Sequence, residues 1–378
     1  MASLFSSAAA VAIIAACAVP ASAGQARPDN AAQDTWVAPS GPGEFATFAP
    51  AENRVRHRID YSIWTSALAN FVVSMGPPLR KRPFAPPGAM GTRTKLGHSS
   101  IYRLDGAMVG FTFMTPEVKD SFTAYREDLE SVPDTIDLQS ISKNEQLAYW
   151  MNLHNVAMVE QIAKNWPIRQ PREIEIDGMP LDEAKFITVE GVALSPRDIR
   201  ERVVYPNWSN PKVIYGFWRG EIGGPAMLRE AFQGSTISDQ LDRAAREFTN
   251  SRRGTEKRGG TLHVSELYTE AAPFFFRDFN RDLRAHLLNY VEDSVLRRVE
   301  ETDAVKATLR EHDIADLSGG ARSNPYFSTG KLGFGVAALL FERRKKLDYV
   351  ERKGLRQGTV TFSNIDLPGD PEGKGEVE

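Results

Sequence analysis

Apolar residues recur at near-helical spacing from Ile59 through Tyr61, Ile63, Trp64, Leu68, Phe71 and Val72, which predicts that order begins near Arg54 with a helix. Phe122–Leu129 reads as a second helix. A third is opened by Ser142-Lys143-Asn144-Glu145, the form of a capping box. On it Leu147, Trp150, His154, Ala157 and Gln161 share one side, and Ala148, Asn152, Asn155 and Val159 a neighbouring one. The period changes over Gln170–Leu194. Glu173–Ile176 and Phe186–Val189 read as short strands, with Asp177-Gly178 and Glu190-Gly191 as hairpin turns. Ser195-Pro196-Arg197-Asp198 starts another helix with a capping serine, a first-turn proline and a first-turn acid.

The sharpest break lies in Lys212–Pro225. Val213–Trp218 predicts a buried strand that ends in a tight turn of Gly220, Gly223, Gly224 and Pro225. Beyond it, Pro225–Phe232 and Ile237–Asn250 read as helices and Thr261–Val264 as a strand. Phe279–Glu300 reads as one long amphipathic helix on Leu283, Leu287, Val291 and Val295. Gly333–Phe341 is apolar and runs into Glu342–Lys346, one helix with a buried start and a wet end. The pattern as a whole predicts an α+β fold: several helices packed around a small, mostly antiparallel sheet, in a single main domain with flexible termini.

The ends change the picture of where the protein works. Residues 1–23 read as a signal peptide, with an apolar core at Ala8–Val19, a break at Pro20 and a small-x-small cleavage site at Ala21-Ser22-Ala23. That run is far short of the roughly 20 residues a bilayer needs, so no transmembrane segment is expected. Ile14-Ala15-Ala16-Cys17 has the form of a lipoprotein box, which makes a lipid anchor at Cys17 the alternative to soluble export. Residues 24–50 read as a flexible leader, 51–325 as the main domain, 326–366 as a C-terminal extension and 367–378 as a disordered tail. In the proline-rich loop Gly76–Gly91, Arg80, Lys81 and Arg82 form either a solvated surface or a contact for anionic lipid or polysaccharide.

Cys17 is the sole cysteine, so a mature chain cut after Ala23 has none. Disulfides, thiolate nucleophiles and thiolate metal sites are then excluded together, as suits an oxidising periplasm. Composition is ordinary, at 42% hydrophobic and 25% charged residues, and a net charge of −3 gives no field for nucleic acid. The sequence lacks an HExxH pair, a phosphate-binding glycine loop, a dinucleotide-binding glycine motif and a GxSxG elbow. None of its six histidines lies three or four positions from another, which excludes a helical metal pair but not a site assembled by folding; no metal and no cofactor are expected.

Three groups carry candidate chemistry. His154 is either a core histidine satisfied by a neighbouring amide or a proton shuttle, since histidine titrates near neutral pH. Asn152 and Asn155 either pin a loop to their helix or reach a common ligand. Arg219 and Glu221, two apart at the strand exit, either pair with each other or nearby helix ends, or form a site. In that site Arg219 holds an anionic ligand, Glu221 is acceptor or general base, and Gly223 and Gly224 let the ligand approach backbone N–H groups.

Asn144–Val159 (NEQLAYWMNLHNVAMV) resembles the hallmark helix of the domain of unknown function 547 family. Ala193–Val204 resembles its serine-capped helix, Asn210–Pro225 its glycine segment and Gln240–Asn250 its following helix, and Ile59-Asp60-Tyr61 fits its usual start. The likeness covers roughly residues 55–300, and with the signal-like first 23 residues the chain reads as an exported bacterial member of that family. Many relatives carry a histidine and two cysteines that align here with Ile214, Arg219 and Gly224, so any thiol chemistry of the family is lost. The expected function is a non-catalytic ligand- or partner-binding protein of the cell envelope, using Arg219, Glu221, Gly223, Gly224, Asn152 and Asn155 for an anionic or envelope-derived ligand. Two alternatives stand. One is a cysteine-independent hydrolase or lyase of envelope components with Glu221 or His154 as general base, and the other a purely structural envelope protein.

Overall fold

A computed structural model describes residues 43–50, 57–81, 98–320 and 334–355. The expected signal peptide, Cys17, residues 24–42 of the expected leader, Arg82 with the rest of residues 82–91 of the proline-rich loop, residues 51–56 and 321–325 of the expected main domain, residues 326–333 and 356–366 of the extension, and the tail lie outside them. Among the described residues the fold is α+β, with ten helices and four small sheets in place of the one sheet expected. None of those helices is long and apolar enough to cross a membrane.

Chain order runs α1 (Ser62–Phe71), β1 (Val72–Ser74), β2 (Ala107–Val109), α2 (Pro116–Glu130) and α3 (Lys143–Asn165). Two hairpins follow, β3 (Glu175–Ile176) with β4 (Met179–Pro180), and β5 (Ile187–Val189) with β6 (Val192–Leu194). Next come α4 (Pro196–Asp198) and α5 (Tyr205–Asn207), joined by a π-helical Ile199–Val204, and then α6 (Ile237–Asn250). β7 (Thr255–Arg258), β8 (Thr261–Ser265), α7 (Leu267–Phe275), α8 (Phe279–Leu288), α9 (Asp293–Glu300), β9 (Ala304–Leu309) and α10 (Phe334–Arg352) complete it. The only parallel pairing among these strands is β8 with β9.

Helix α3 is the axis of the molecule. Every residue from Glu145 to Glu160 is buried, so this is a helix enclosed on all sides, whose polar side chains must find partners inside the protein. α2 lies along it, where Tyr149 donates to the Leu129 carbonyl (3.0 Å) and Arg126 to the Glu160 carboxylate (2.6 Å). Half of the expected capping box forms. Ser142 accepts from the Glu145 N–H (3.3 Å), but the Glu145 carboxylate turns away to accept from Ile59 (3.1 Å), tying the start of the domain to the axis. The box at Ser195 is complete, with Asp198 returning the bond. Both hairpin turns have positive φ at each central residue, Asp177 and Gly178, then Glu190 and Gly191, as a type I′ turn requires.

Three stretches in the middle of the chain differ from what the sequence predicts. Val213–Trp218 is not a strand: Asn210 caps a 3-10 segment, Pro211–Gly216, and the chain then runs on outside any sheet. A buried apolar run fits either conformation, and Pro211 at the first position favours the helical one. Pro225–Phe232 is irregular, because Gln240 and Asn152 side chains take its backbone groups. Phe279–Glu300 breaks in two, and Asn250 holds the break by donating to the Tyr290 carbonyl and accepting from the Glu292 N–H (2.8 and 2.7 Å).

Packing also reaches further at both ends than expected. Glu44–Phe48 forms a 3-10 turn within the supposed leader, burying Phe45 and Phe48, the latter edge-on to Trp150 with centroids 4.9 Å apart. α10 is not wet from Glu342 onward: Lys346 is buried with its ammonium on the Leu104 carbonyl, and Glu342 pairs with Arg103 (2.8 Å). Arg80 of the basic loop is likewise occupied, donating to the Asn250 and Ser251 carbonyls at the end of α6.

Phe48→Ala removes a ring packed against the central helix. We expect a loss of about 3–5 kcal/mol in urea unfolding, against under about 0.5 kcal/mol if the segment were a loose leader.

Candidate functional site

The glycine turn is built by a distant segment. Glu221 forms an antiparallel bridge with Ile314, and Ile222 and Gly223 donate to the Asp313 and Glu311 carbonyls (2.9 and 3.0 Å). Ala315 donates back to Gly220 (2.7 Å). Gly220 has φ of 80°, and a Cβ there would lie 2.3 Å from the Ile162 side chain, so the turn needs glycine. Gly223 is glycine because a Cβ would strike the Glu311 carbonyl at 2.4 Å. Its N–H, and that of Gly224 (on the Glu221 carbonyl, 3.2 Å), are engaged. The two glycines therefore serve close packing and offer no free N–H to a ligand.

Beside this turn lies a cleft of about 280 Å³. Its walls come from the turn, from the chain just after β4, from the start of α7 and from the end of β9. Arg219, Glu221, Gly223 and Gly224 line it, while Asn152, His154 and Asn155 do not. The residues singled out in the sequence thus fall into two groups, one at the cleft and one in the core.

The core group holds the wall up. Asn155 donates to the Gly216 carbonyl and accepts from the Trp218 N–H (both 2.9 Å), giving the extended stretch the bonds a neighbouring strand would have supplied. Asn152 does the same for Phe232, donating at 2.8 Å and accepting at 3.0 Å. His154 is fully buried, with Nε2 at 3.1 Å from Arg200 and Nδ1 at 3.0 Å from the Asn155 amide oxygen. Arginine can only donate, so Nε2 accepts and the proton sits on Nδ1. Burial, and then the Arg200 charge, push the His154 pKa down to about 3. A neutral histidine with both nitrogens occupied and no access to the cleft cannot act as its proton shuttle.

Arg200, which the sequence reading missed, is the anchor of the inner wall. It is fully buried and all five of its N–H groups are used. Asp182 takes two (2.8 and 2.8 Å), Glu270 two (3.0 and 3.2 Å) and His154 one. Burial alone would raise both carboxylates; the arginine charges overrule it, holding Asp182 well below the usual range and Glu270 at about 2. Glu270 also receives Arg219 (2.6 Å), so Arg219 and Glu221 do not pair with each other. Glu221 instead takes Arg172 through both oxygens (2.8 and 3.2 Å) and His312 at 3.2 Å.

The lining contains four arginines (Arg172, Arg197, Arg219, Arg310) and six carboxylates (Asp182, Glu183, Glu221, Glu266, Glu270, Glu311), a formal charge of −2. Each arginine already holds a carboxylate. No group of three or more potential metal ligands is assembled among the described residues. For Arg200 one signal was legible: it stands four residues before Val204, on a buried face. Nothing local distinguishes Asp182, Glu270 or Glu311.

Residues 138–249 match the model of the family described as Protein of unknown function, DUF547. Neither a curated protein nor a solved structure gave a match. The matched segment contains α3, the glycine turn and α6, but Glu270 and Glu311 on the facing wall lie beyond it. A Cβ placed on Gly224 falls 4.0 Å from that of Arg219, the separation of a disulfide-linked pair. Cysteines placed at 219 and 224 would therefore stand close enough to bridge.

The double change Arg219→Cys with Gly224→Cys should form that bridge. Thiol titration of the denatured protein should then find two thiols beyond Cys17 only after reduction; two free thiols without reductant would contradict the geometry. The pH dependence follows from His154. Between its folded value near 3 and its ordinary 6.5, the unfolded chain binds a proton that the native state refuses. Stability should therefore fall as pH drops from 6.5 to 4.5, by up to about 1.4 kcal/mol per pH unit from this residue. His286, pushed down by burial to about 4, acts in the same direction. Urea unfolding should show a shallower slope in His154→Gln than in the parent protein.

Proposed function

We propose that this chain, which carries a DUF547 segment over residues 138–249, is a non-catalytic binding protein whose small ligand occupies the cleft beside Arg219 and Glu221. The supporting observation is a concave site whose wall charges are fixed in advance by ion pairs, chief among them Arg200 with Asp182 and Glu270. Preorganised polar groups around a cleft cost little to order on binding. A carboxylate gripped by Arg172 and His312, as Glu221 is, serves better as a fixed acceptor than as a base that must release its partners. An anionic group of the ligand would meet Arg219. Export to the cell envelope, inferred from residues 1–23, belongs to the same proposal.

His312 favours the catalytic alternative, because its ring lies 3.2 Å from the Glu221 carboxylate at the cleft, a possible acid–base pair for a hydrolase or lyase. One experiment separates the readings. Arg219→Ala with Glu221→Ala, in protein that remains folded by circular dichroism, should lose at least about tenfold in binding to cell-envelope extract. Unchanged binding would reject the site. Turnover of that extract by the parent protein, abolished by Glu221→Gln, would replace binding with catalysis.

A further inference from the structure

We infer that the ligand of this cleft is amphoteric, carrying a carboxylate and an ammonium group as an amino acid or short peptide does. The inference rests on the binding reading above and specifies its chemistry. Most charges lining the cleft are already answered within the protein. Arg172 is held by Glu221, Arg197 by Asp182 and Glu183, and Arg310 by Glu266. Two binding capacities are left over, spare donors on a cation and a carboxylate outside any ion pair among the described residues.

The first is on Arg219. Of its nitrogens Nη2 alone reaches Glu270, which also accepts two bonds from Arg200. The Nε–H of Arg219 is buried without a partner, and its Nη1 donates to no described residue. A guanidinium with donors to spare is matched by a carboxylate, which accepts two parallel N–H bonds. The second is on Glu311. Its carboxylate accepts from the Ser100 hydroxyl (2.7 Å) and the Asp313 N–H (3.3 Å), both neutral, and it enters no ion pair among the described residues. An ammonium group would supply the missing charge.

These two residues flank the same glycine turn. The Glu311 backbone is bonded to Gly223 (3.0 Å), and the next residue, Gly224, faces the Arg219 side chain. A molecule lying across the turn would meet both. The formal −2 of the lining disfavours a purely anionic occupant such as phosphate, which would face six carboxylates and compete with Glu270 for Arg219. The volume of about 280 Å³ sits at the lower end for ligand sites, which suits a molecule of one or two residues.

Calorimetric titration of the full chain with three probes tests this: alanyl-alanine, its N-acetyl form and its C-terminal amide. The free dipeptide should bind at least about tenfold more tightly than either capped form. Glu311→Gln should reduce its affinity to that of the acetylated probe, and Arg219→Gln to that of the amide. The capped probes act on the parent protein, so the comparison stands even if a variant fails to fold. Equal affinity for all three probes overturns the inference, and so does the absence of binding by any. The broader reading is judged separately, because native mass spectrometry of the purified chain would still show whether any small molecule is retained and released by the Arg219→Ala, Glu221→Ala double change.

Discussion

A guanidinium taken wholly out of water must have every N–H matched and its charge answered, and Arg200 satisfies both demands at once. To do so it gathers a carboxylate from the chain after β4, another from α7 and an imidazole from α3. Those three contacts set where the inner wall of the cleft stands. Arg219 is then placed by Glu270, and Asn155 by His154, so the two groups of residues singled out in the sequence meet through one buried cation. Such an ion cluster is weak evidence for stability as such. Losing any one of its members would strand the others, typically at about 3–5 kcal/mol.

A second constraint comes from α3. Because it is enclosed on all sides, its amides are used as backbone substitutes: Asn155 and Asn152 give Gly216–Trp218 and Phe232 the paired bonds of a strand without a strand being present. This explains how a fold with so little sheet keeps irregular chain in its interior. Buried loops are ordinarily penalised by unpaired N–H and C=O groups. Here two asparagine side chains remove much of that penalty, and they do so directly behind the glycine turn.

Local chemistry was legible in the sequence and remote pairing was not. The hairpins at Asp177-Gly178 and Glu190-Gly191, the serine caps at 142 and 195, and the helix from 237 to 250 are each decided by neighbours within a few residues, and they stand where expected. The run Val213–Trp218 was misjudged because its apolar character says only that it is buried, while its conformation depends on Asn155 some 60 positions away. Likewise the break at 289–292 depends on Asn250. At the site, Arg219 and Glu221 were visible through the abrupt change of character around them. Their partners Glu270, Arg172 and His312 stand in unremarkable polar stretches, and folding alone brings them in.

The segment that braces the glycine turn, residues 311–315, lies nearly a hundred positions after it and beyond the matched family segment. It also bonds to β2 through Val109, so it is threaded between parts of the chain that are synthesised far earlier. Contacts of such long sequence separation form late. A nascent polypeptide still missing its last quarter would hold an open, unbraced turn with no facing wall. The cleft is thereby completed only in the finished molecule, however far the helices that precede its last wall have formed.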